Sequence, residues 1–129
     1  QAGAVAALTG DQTCVSEMRA AFAERRDLVT RMLQSMPGVR VRAPRGAFYI
    51  FPDLEEVYKL SRFQTLMQEK QDTSPSRVFC QQLLDHYDVA TVPGVAFGND
   101  GALRISYALD ESSLRQGLER LGNMIDDLR

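Results

Sequence analysis

Val89-Ala90-Thr91-Val92-Pro93-Gly94-Val95-Ala96-Phe97-Gly98, followed after a short turn by Leu103-Arg104-Ile105-Ser106-Tyr107-Ala108, sets one arginine into an otherwise uncharged strand. With residues 102–108 extended, Leu103, Ile105 and Tyr107 project to one face. Arg104 and Ser106 project to the other, flanked by Ala102 and Ala108. The guanidinium is then expected to stand on a face kept open by small neighbours. A permanently charged planar fork with room around it and a rigid mount suits bidentate capture of a carboxylate. Arg104 is therefore the leading candidate functional residue. The plainer reading of a strand arginine is a pairing with a protein carboxylate or with solvent, and it is the surrounding motif that sets this reading aside.

Working outward, Gly98-Asn99-Asp100-Gly101 predicts a tight turn joining the Phe97 region to the Arg104 strand as an antiparallel pair. After that strand, Asp110 can cap a last helix, in which Leu114, Leu118, Leu121, Ile125 and Leu128 fall on one stripe. Before it, Ser74-Pro75 reads as an N-cap and a first-turn proline opening a helix whose apolar face carries Val78, Phe79, Leu83 and Tyr87. His86, the only histidine, falls near that helix's C-terminus, where a cation is favoured, and reads as a surface residue. A strand from Val89 to Val92 is expected to follow.

Further upstream, Ala2 to Leu8 is a small-residue helical segment ending at Thr9-Gly10. From Asp11 a long helix carries Val15, Met18, Phe22, Val29, Met32, Leu33 and Met36 at three- and four-residue steps, which predicts a buried stripe. Pro37-Gly38 stops it. Val39, Val41 and Ala43 then alternate with Arg40 and Arg42, the pattern of a strand with one face solvated. Pro44-Arg45-Gly46 signals a turn. Ala47-Phe48-Tyr49-Ile50-Phe51 is a short apolar run expected to pair back as the second strand of a β-hairpin, covered on both faces. Tyr49, with its polar tip, is the second and weaker candidate site residue, since the pattern by itself favours a core aromatic whose hydroxyl finds a partner at the edge. Residues 53–73 predict one or two short helices and a polar loop from Gln68 to Thr73. The order α-β-β-(α)-α-β-β-α argues for an α+β fold, a two-layer sandwich with a small, mostly antiparallel or mixed sheet packed against helices.

Composition limits the function classes. At 129 residues with 44% hydrophobic side chains, the chain can bury one core. A net charge of −2 leaves no electrostatic footprint for nucleic acid or an anionic membrane. No apolar run approaches the roughly 20 residues of a membrane helix, and a cytoplasmic protein is expected. Cys14 and Cys80 lack metal-ligand spacing or a disulfide framework and read as reduced, partly buried small hydrophobes; no metal site is expected.

Val-Pro-Gly-x-x-Phe-Gly at 92–98, Gly101 and Arg104-Ile105-Ser106-Tyr107-Ala108, with the helix after them, closely resemble the C-terminal small domain of the class I and II pyridoxal-phosphate aminotransferases, the aspartate aminotransferase superfamily. Arg25-Arg26-Asp27, Pro37-Gly38 and Pro44-x-Gly46-Ala47-Phe48-Tyr49-x-Phe51-Pro52 fit in order and spacing, so the resemblance covers nearly the whole chain. It implies that residues 1–10 end a large-domain or hinge helix and that 11–129 form the small domain. It also implies that Arg104 grips the substrate α-carboxylate, that amino groups pass between an L-amino acid and a 2-oxo acid, and that the intact protein is a homodimer. Residues 53–73 depart from the resemblance by an apparent insertion.

Transamination on pyridoxal phosphate needs a Schiff-base lysine, a carboxylate for the pyridinium nitrogen and a phosphate cradle. In the resembled family these lie in the large domain. Lys59 and Lys70, the only lysines, lack the Ser-x-Ser-Lys-like context, and there is no glycine-rich phosphate loop. Residues 1–129 alone are therefore expected to be inactive and to bind no cofactor by themselves. Their start at Gln1 is what a piece of a longer protein would show. Two alternatives share these residues: a pyridoxal-phosphate lyase on the same fold, and a stand-alone module that binds a carboxylate or a partner. Arg45 and Arg77 have no motif context for a functional role.

Overall fold

Side-chain caps fix where the last two helices begin before any packing is considered. The computed structural model describes residues 1–129. Ser74 caps α5 (Pro75–Tyr87) by accepting from the Arg77 amide, with Pro75 in the first turn where its missing N–H costs nothing. Asp110 caps α6 (Glu111–Asp127) by accepting from the Ser113 amide at 2.9 Å. The α6 stripe of Leu114, Leu118, Leu121 and Ile125 is buried, as its spacing predicts.

The N-terminal half of the chain is more open. Helix α1 (Ala2–Thr9) buries no residue. In α2 (Thr13–Gln34) the buried positions are Leu28 to Thr30 and Leu33, whereas Val15 and Met18, expected in the core, are exposed. The apolar stripe is present, but residues 1–129 cover only its second half. Cys14 lies on this open half and is exposed, contrary to its reading as partly buried. Cys80 on α5 is buried and accepts a hydrogen bond from Thr91 Oγ1 at 3.1 Å; burial pushes its thiol pKa up, so it stays a protonated, inert packing group. Residues 53–73 hold two short helices, α3 (Glu55–Tyr58) and α4 (Ser61–Lys70), with Tyr58 stacked on the buried Phe63 at 5.0 Å between ring centroids; the polar loop expected from Gln68 starts only at Gln71, because α4 runs on to Lys70.

The sheet is α+β in kind, antiparallel and three-stranded, in the order β1-β3-β2. Its strands are short: β1 (Tyr49–Ile50), β2 (Val92–Pro93) and β3 (Leu103–Ser106). β3 is central, with Tyr49 opposite Ser106 and Ile50 opposite Ile105 on one side, and Val92 opposite Arg104 and Pro93 opposite Leu103 on the other. The antiparallel pairing of the Phe97 region with the Arg104 strand is therefore present, although β2 begins at Val92 and not at Val89.

The hairpin expected between residues 39–43 and 47–51 does not form. Arg40 makes one isolated bridge with Asp53, and β1 pairs with the distant β3. The Arg40–Asp53 bridge exchanges both backbone hydrogen bonds, at 2.9 and 2.8 Å. Continuing its register would bring Pro44 to Tyr49, and Pro44 has no N–H to give. The apolar run 47–51 is likewise not covered on both faces: Ile50 is buried, while Phe48 and Phe51 are about two-fifths exposed, at 41% and 40%. No helix is long and apolar enough to cross a membrane.

Two stability predictions follow from these elements. Gly117 lies inside α6, and a Cβ there would meet only Val89 Cγ1, at 3.9 Å. Gly117→Ala should thus gain about 0.8–1 kcal/mol of helix propensity and raise the melting temperature by about 3–5 °C, read by thermal unfolding. Asp72, gripped by Arg77 through two hydrogen bonds of 2.6 and 3.0 Å, has its carboxyl held down to about 2. Its folded-state value lies below the unfolded one, so this pair stabilises the fold above about pH 4 and the stabilisation fades as pH falls towards 2. Asp72→Asn should therefore lose less stability than the parent between pH 4 and 2 in a pH-dependent unfolding series.

Candidate functional site

Alternation along β3 does the first part of the positioning. Leu103 and Ile105 are buried, and Tyr107 continues the inward set, so Arg104 must leave from the opposite face. Tyr49, opposite Ser106, is the diagonal neighbour of Arg104 on that face, within reach of a long side chain. Its ring centroid lies 4.4 Å from Arg104 Cζ.

The second wall comes from the 3-10 turn Gly94–Phe97, which follows β2 directly. Phe97 brings its ring centroid to 4.6 Å from Arg104 Cζ. Two glycines explain why the turn has this shape. A Cβ on Gly94 would come within 2.2 Å of the carbonyl oxygens of Ala102 and Asn99, and Gly98 turns the chain at φ +78°. Phe51 meets Phe97 edge-on at 6.0 Å, extending the aromatic wall.

Arg104 is thus held differently from the expectation of an open face between alanines. Ala102 is buried beside the Asp53 bridge, and the guanidinium carbon lies over the rings of both Tyr49 and Phe97. Aromatic rings against a guanidinium engage its π-faces and leave the in-plane N–H groups free. Arg26, Arg40, Arg77, Arg115 and Arg120 all pair with carboxylates of the chain. The side chain of Arg104, a half-buried residue, forms neither an ion pair nor a hydrogen bond within the chain. A charged fork held against two aromatic rings and without an ion pair to the chain is suited to a planar carboxylate.

The base of Tyr49 is also fixed. Ala47 adopts φ +59°, a left-handed conformation that costs a non-glycine residue roughly 1–2 kcal/mol. Tyr107 holds the segment from the core side, its hydroxyl donating to the Ala47 carbonyl at 2.9 Å and its amide to the Phe48 carbonyl at 2.9 Å. An open groove of about 550 Å³ runs beside the site, lined by Arg40, Arg42, Tyr49, Phe51 and Asp53. The sequence reading had placed Arg104 and Tyr49 separately, and the structure brings them into contact. It passed over Phe97 and Phe51 as site residues, although Gly94-x-x-Phe97-Gly98 carried the signal: two backbone-enforcing glycines bracket an aromatic residue.

The residues present do not assemble a pyridoxal phosphate site. Lys59 ends α3 in an ion pair with Glu56 at 2.7 Å, and Lys70 lies in the last turn of α4. Neither belongs to the sheet that carries Arg104. His86 lies exposed in the last turn of α5. Arg77 is taken up by Asp72, and Arg45 is an exposed turn residue.

The family model described as aminotransferase class I and II matches residues 1–121. The chain belongs to this family. The aspartate/prephenate aminotransferase of Nitrosomonas europaea is 35% identical to it over 125 residues, covering 97% of this chain and 30% of that protein. The crystal structure of the aspartate aminotransferase from Rhizobium meliloti superposes with a TM-score of 0.78 at 37% identity, covering 95% of this chain and 30% of that one. An aromatic aminotransferase from Pyrococcus horikoshii superposes with a TM-score of 0.78 at 33% identity, covering 96% and 30%. The chain spans 21–30% of the length of the curated relatives it matches.

Proposed function

We propose that residues 1–129 are the small domain of a pyridoxal-phosphate-dependent aminotransferase, with 1–10 the end of the helix entering from the large domain. In this reading Arg104 binds the α-carboxylate shared by an L-amino acid and its 2-oxo acid. The observation that carries the proposal is the guanidinium lying over the rings of Tyr49 and Phe97, with no ion pair or hydrogen bond from its side chain to the rest of the chain. Both substrates present the same carboxylate, so one fixed fork serves both directions of amino-group exchange.

Pyridoxal phosphate, the electron sink of amino-group exchange, is held in this proposal by residues outside the chain, because none of the lysines here lies with Arg104. The exposed first half of α2 is then the face that the large domain covers. The aminotransferase relatives favour amino transfer over elimination or decarboxylation on the same fold. The intact protein is read as a cytoplasmic homodimer, and residues 1–129 alone as unable to turn over amino acids.

Within this proposal the role of each residue is mechanical. Arg104 sets the amino acid's orientation through two parallel N–H···O bonds. Tyr49 and Phe97 exclude water from the faces of the guanidinium, which raises the worth of each of those bonds. The aromatic rim of Phe51 supplies an apolar wall next to them.

Charge-assisted hydrogen bonds are worth about 1.5–3 kcal/mol each, so Arg104→Ala in the full-length enzyme should lower kcat/KM by at least about two orders of magnitude. Activity within about threefold of the parent would remove the assignment. Tyr49→Phe should leave KM for the amino acid within about twofold, whereas Tyr49→Leu should raise it about fivefold, the scale of one cation–π contact. Steady-state kinetics with the full-length variants checks both.

A further inference from the structure

A cluster of buried polar groups behind the site converges on one atom. Ser74 Oγ donates to Asp100 Oδ1 at 2.7 Å, Ser76 Oγ at 2.5 Å and the Ser76 amide at 3.1 Å. Ser76 is wholly buried, at 0% exposure, and Ser74 nearly so. Ser76 Oγ is also an acceptor, taking the Val95 amide at 3.2 Å. Val95 and Asp100 stand on either side of Phe97 in the chain. The N-terminus of α5 therefore grips the loop before and after the residue that walls Arg104.

Inside that loop the remaining groups are satisfied locally. The Asn99 amide donates to the Gly94 carbonyl at 3.1 Å, and the Gly98 amide to the Val95 carbonyl at 3.1 Å. These bonds shape the turn but do not fix where it sits. Its attachments are Gly94 to Ala102 in the sheet, at 2.9 Å, and the Ser74–Ser76–Asp100 cluster on α5. Burial opposes the charge on Asp100, and the bonds from Ser76 and Ser74 outweigh it, leaving the carboxyl below its ordinary range. The carboxylate also lies at the positive end of α5, which favours it.

We propose that Asp100, acting with Ser74 and Ser76, is a positioning residue for Arg104: it anchors the Gly94–Phe97 turn to α5 so that Phe97 stays against the guanidinium and the N–H fork keeps its aim. The proposal rests on the carboxylate-binding reading of Arg104 given above. A merely structural role as an extra cap on α5 would move stability and the amount of active enzyme. The positioning role moves the apparent affinity for the carboxylate.

The test uses the full-length holoenzyme, with whichever of L-aspartate, L-alanine and L-phenylalanine it turns over best, and separates KM from kcat. Asp100→Ala should raise KM about tenfold with kcat falling by less than about threefold, the scale of one buried hydrogen-bond anchor lost. Asp100→Asn keeps an oxygen for the three donors and should remain within about threefold of the parent KM. Phe97→Leu changes a residue that is 49% exposed, so folding is not at stake, and it should reproduce most of the KM rise without any change at Asp100. Arg104→Ala is measured beside them. If Arg104→Ala raises KM while Asp100→Ala and Phe97→Leu leave it within about twofold, the positioning role is wrong and the carboxylate reading stands. If Asp100→Ala lowers the melting temperature and kcat with KM unchanged, the cluster is only a cap. An Asp100→Asn as impaired as Asp100→Ala overturns anchoring through Oδ1. An Arg104→Ala variant whose kcat/KM stays within about threefold of the parent overturns the underlying reading itself.

Discussion

The burial of Leu103 and Ile105 on one side of β3 is the constraint from which the rest of the molecule takes its orientation. An extended chain cannot turn residue 104 to the same side as 103 and 105. Core formation thus drives Arg104 out of the opposite face with no further specification. Because β3 is the middle strand, both of its neighbours are then available to build around the guanidinium. β1 contributes Tyr49 by diagonal register, and the segment continuing from β2 contributes Phe97.

A strand this short would be a weak mount on its own. Rigidity comes from the groups that close around its ends. Tyr107 ties the entry of β1 through two backbone carbonyls, and the close approach of Gly94 to Ala102 and Asn99 locks the exit of β2. The serine–aspartate cluster on α5 then links the aromatic wall to the best-formed part of the core, which α5 and α6 share. The order is local caps, then helix packing, then turn placement, then the guanidinium. Each level has few degrees of freedom left once the one before it is set.

Much of this was legible in the order of residues. The caps Ser74 and Asp110 and the α6 stripe were read correctly because each depends on interactions within four residues or on a single period. The outward direction of Arg104 was legible for the same reason. The resemblance of the 92–108 motif to the class I and II aminotransferases also held, since glycines that enforce backbone shape leave a recognisable spacing. The hairpin at 39–51 was misread because alternation states which face is apolar and not which strand is the partner. A proline at one position removed the local pairing, and β3, more than fifty residues away, took the edge. The buried stripe expected along all of α2 failed in its first half because periodicity gives a face and says nothing about whether any element covers it.

The sequence by itself determined the starts of α5 and α6, the α+β class, the family and the one strand arginine that stands away from the core. These are consequences of backbone stereochemistry and period, which act between near neighbours. Only the tertiary structure decided that β1 pairs with β3 and that Tyr49 and Phe97, nearly fifty residues apart, both come to lie against Arg104. It alone decided that Asp100 collects both serines at the head of α5. Contacts of this kind depend on how distant segments fill space together, and no local pattern encodes the distance between side chains that only a common core brings together.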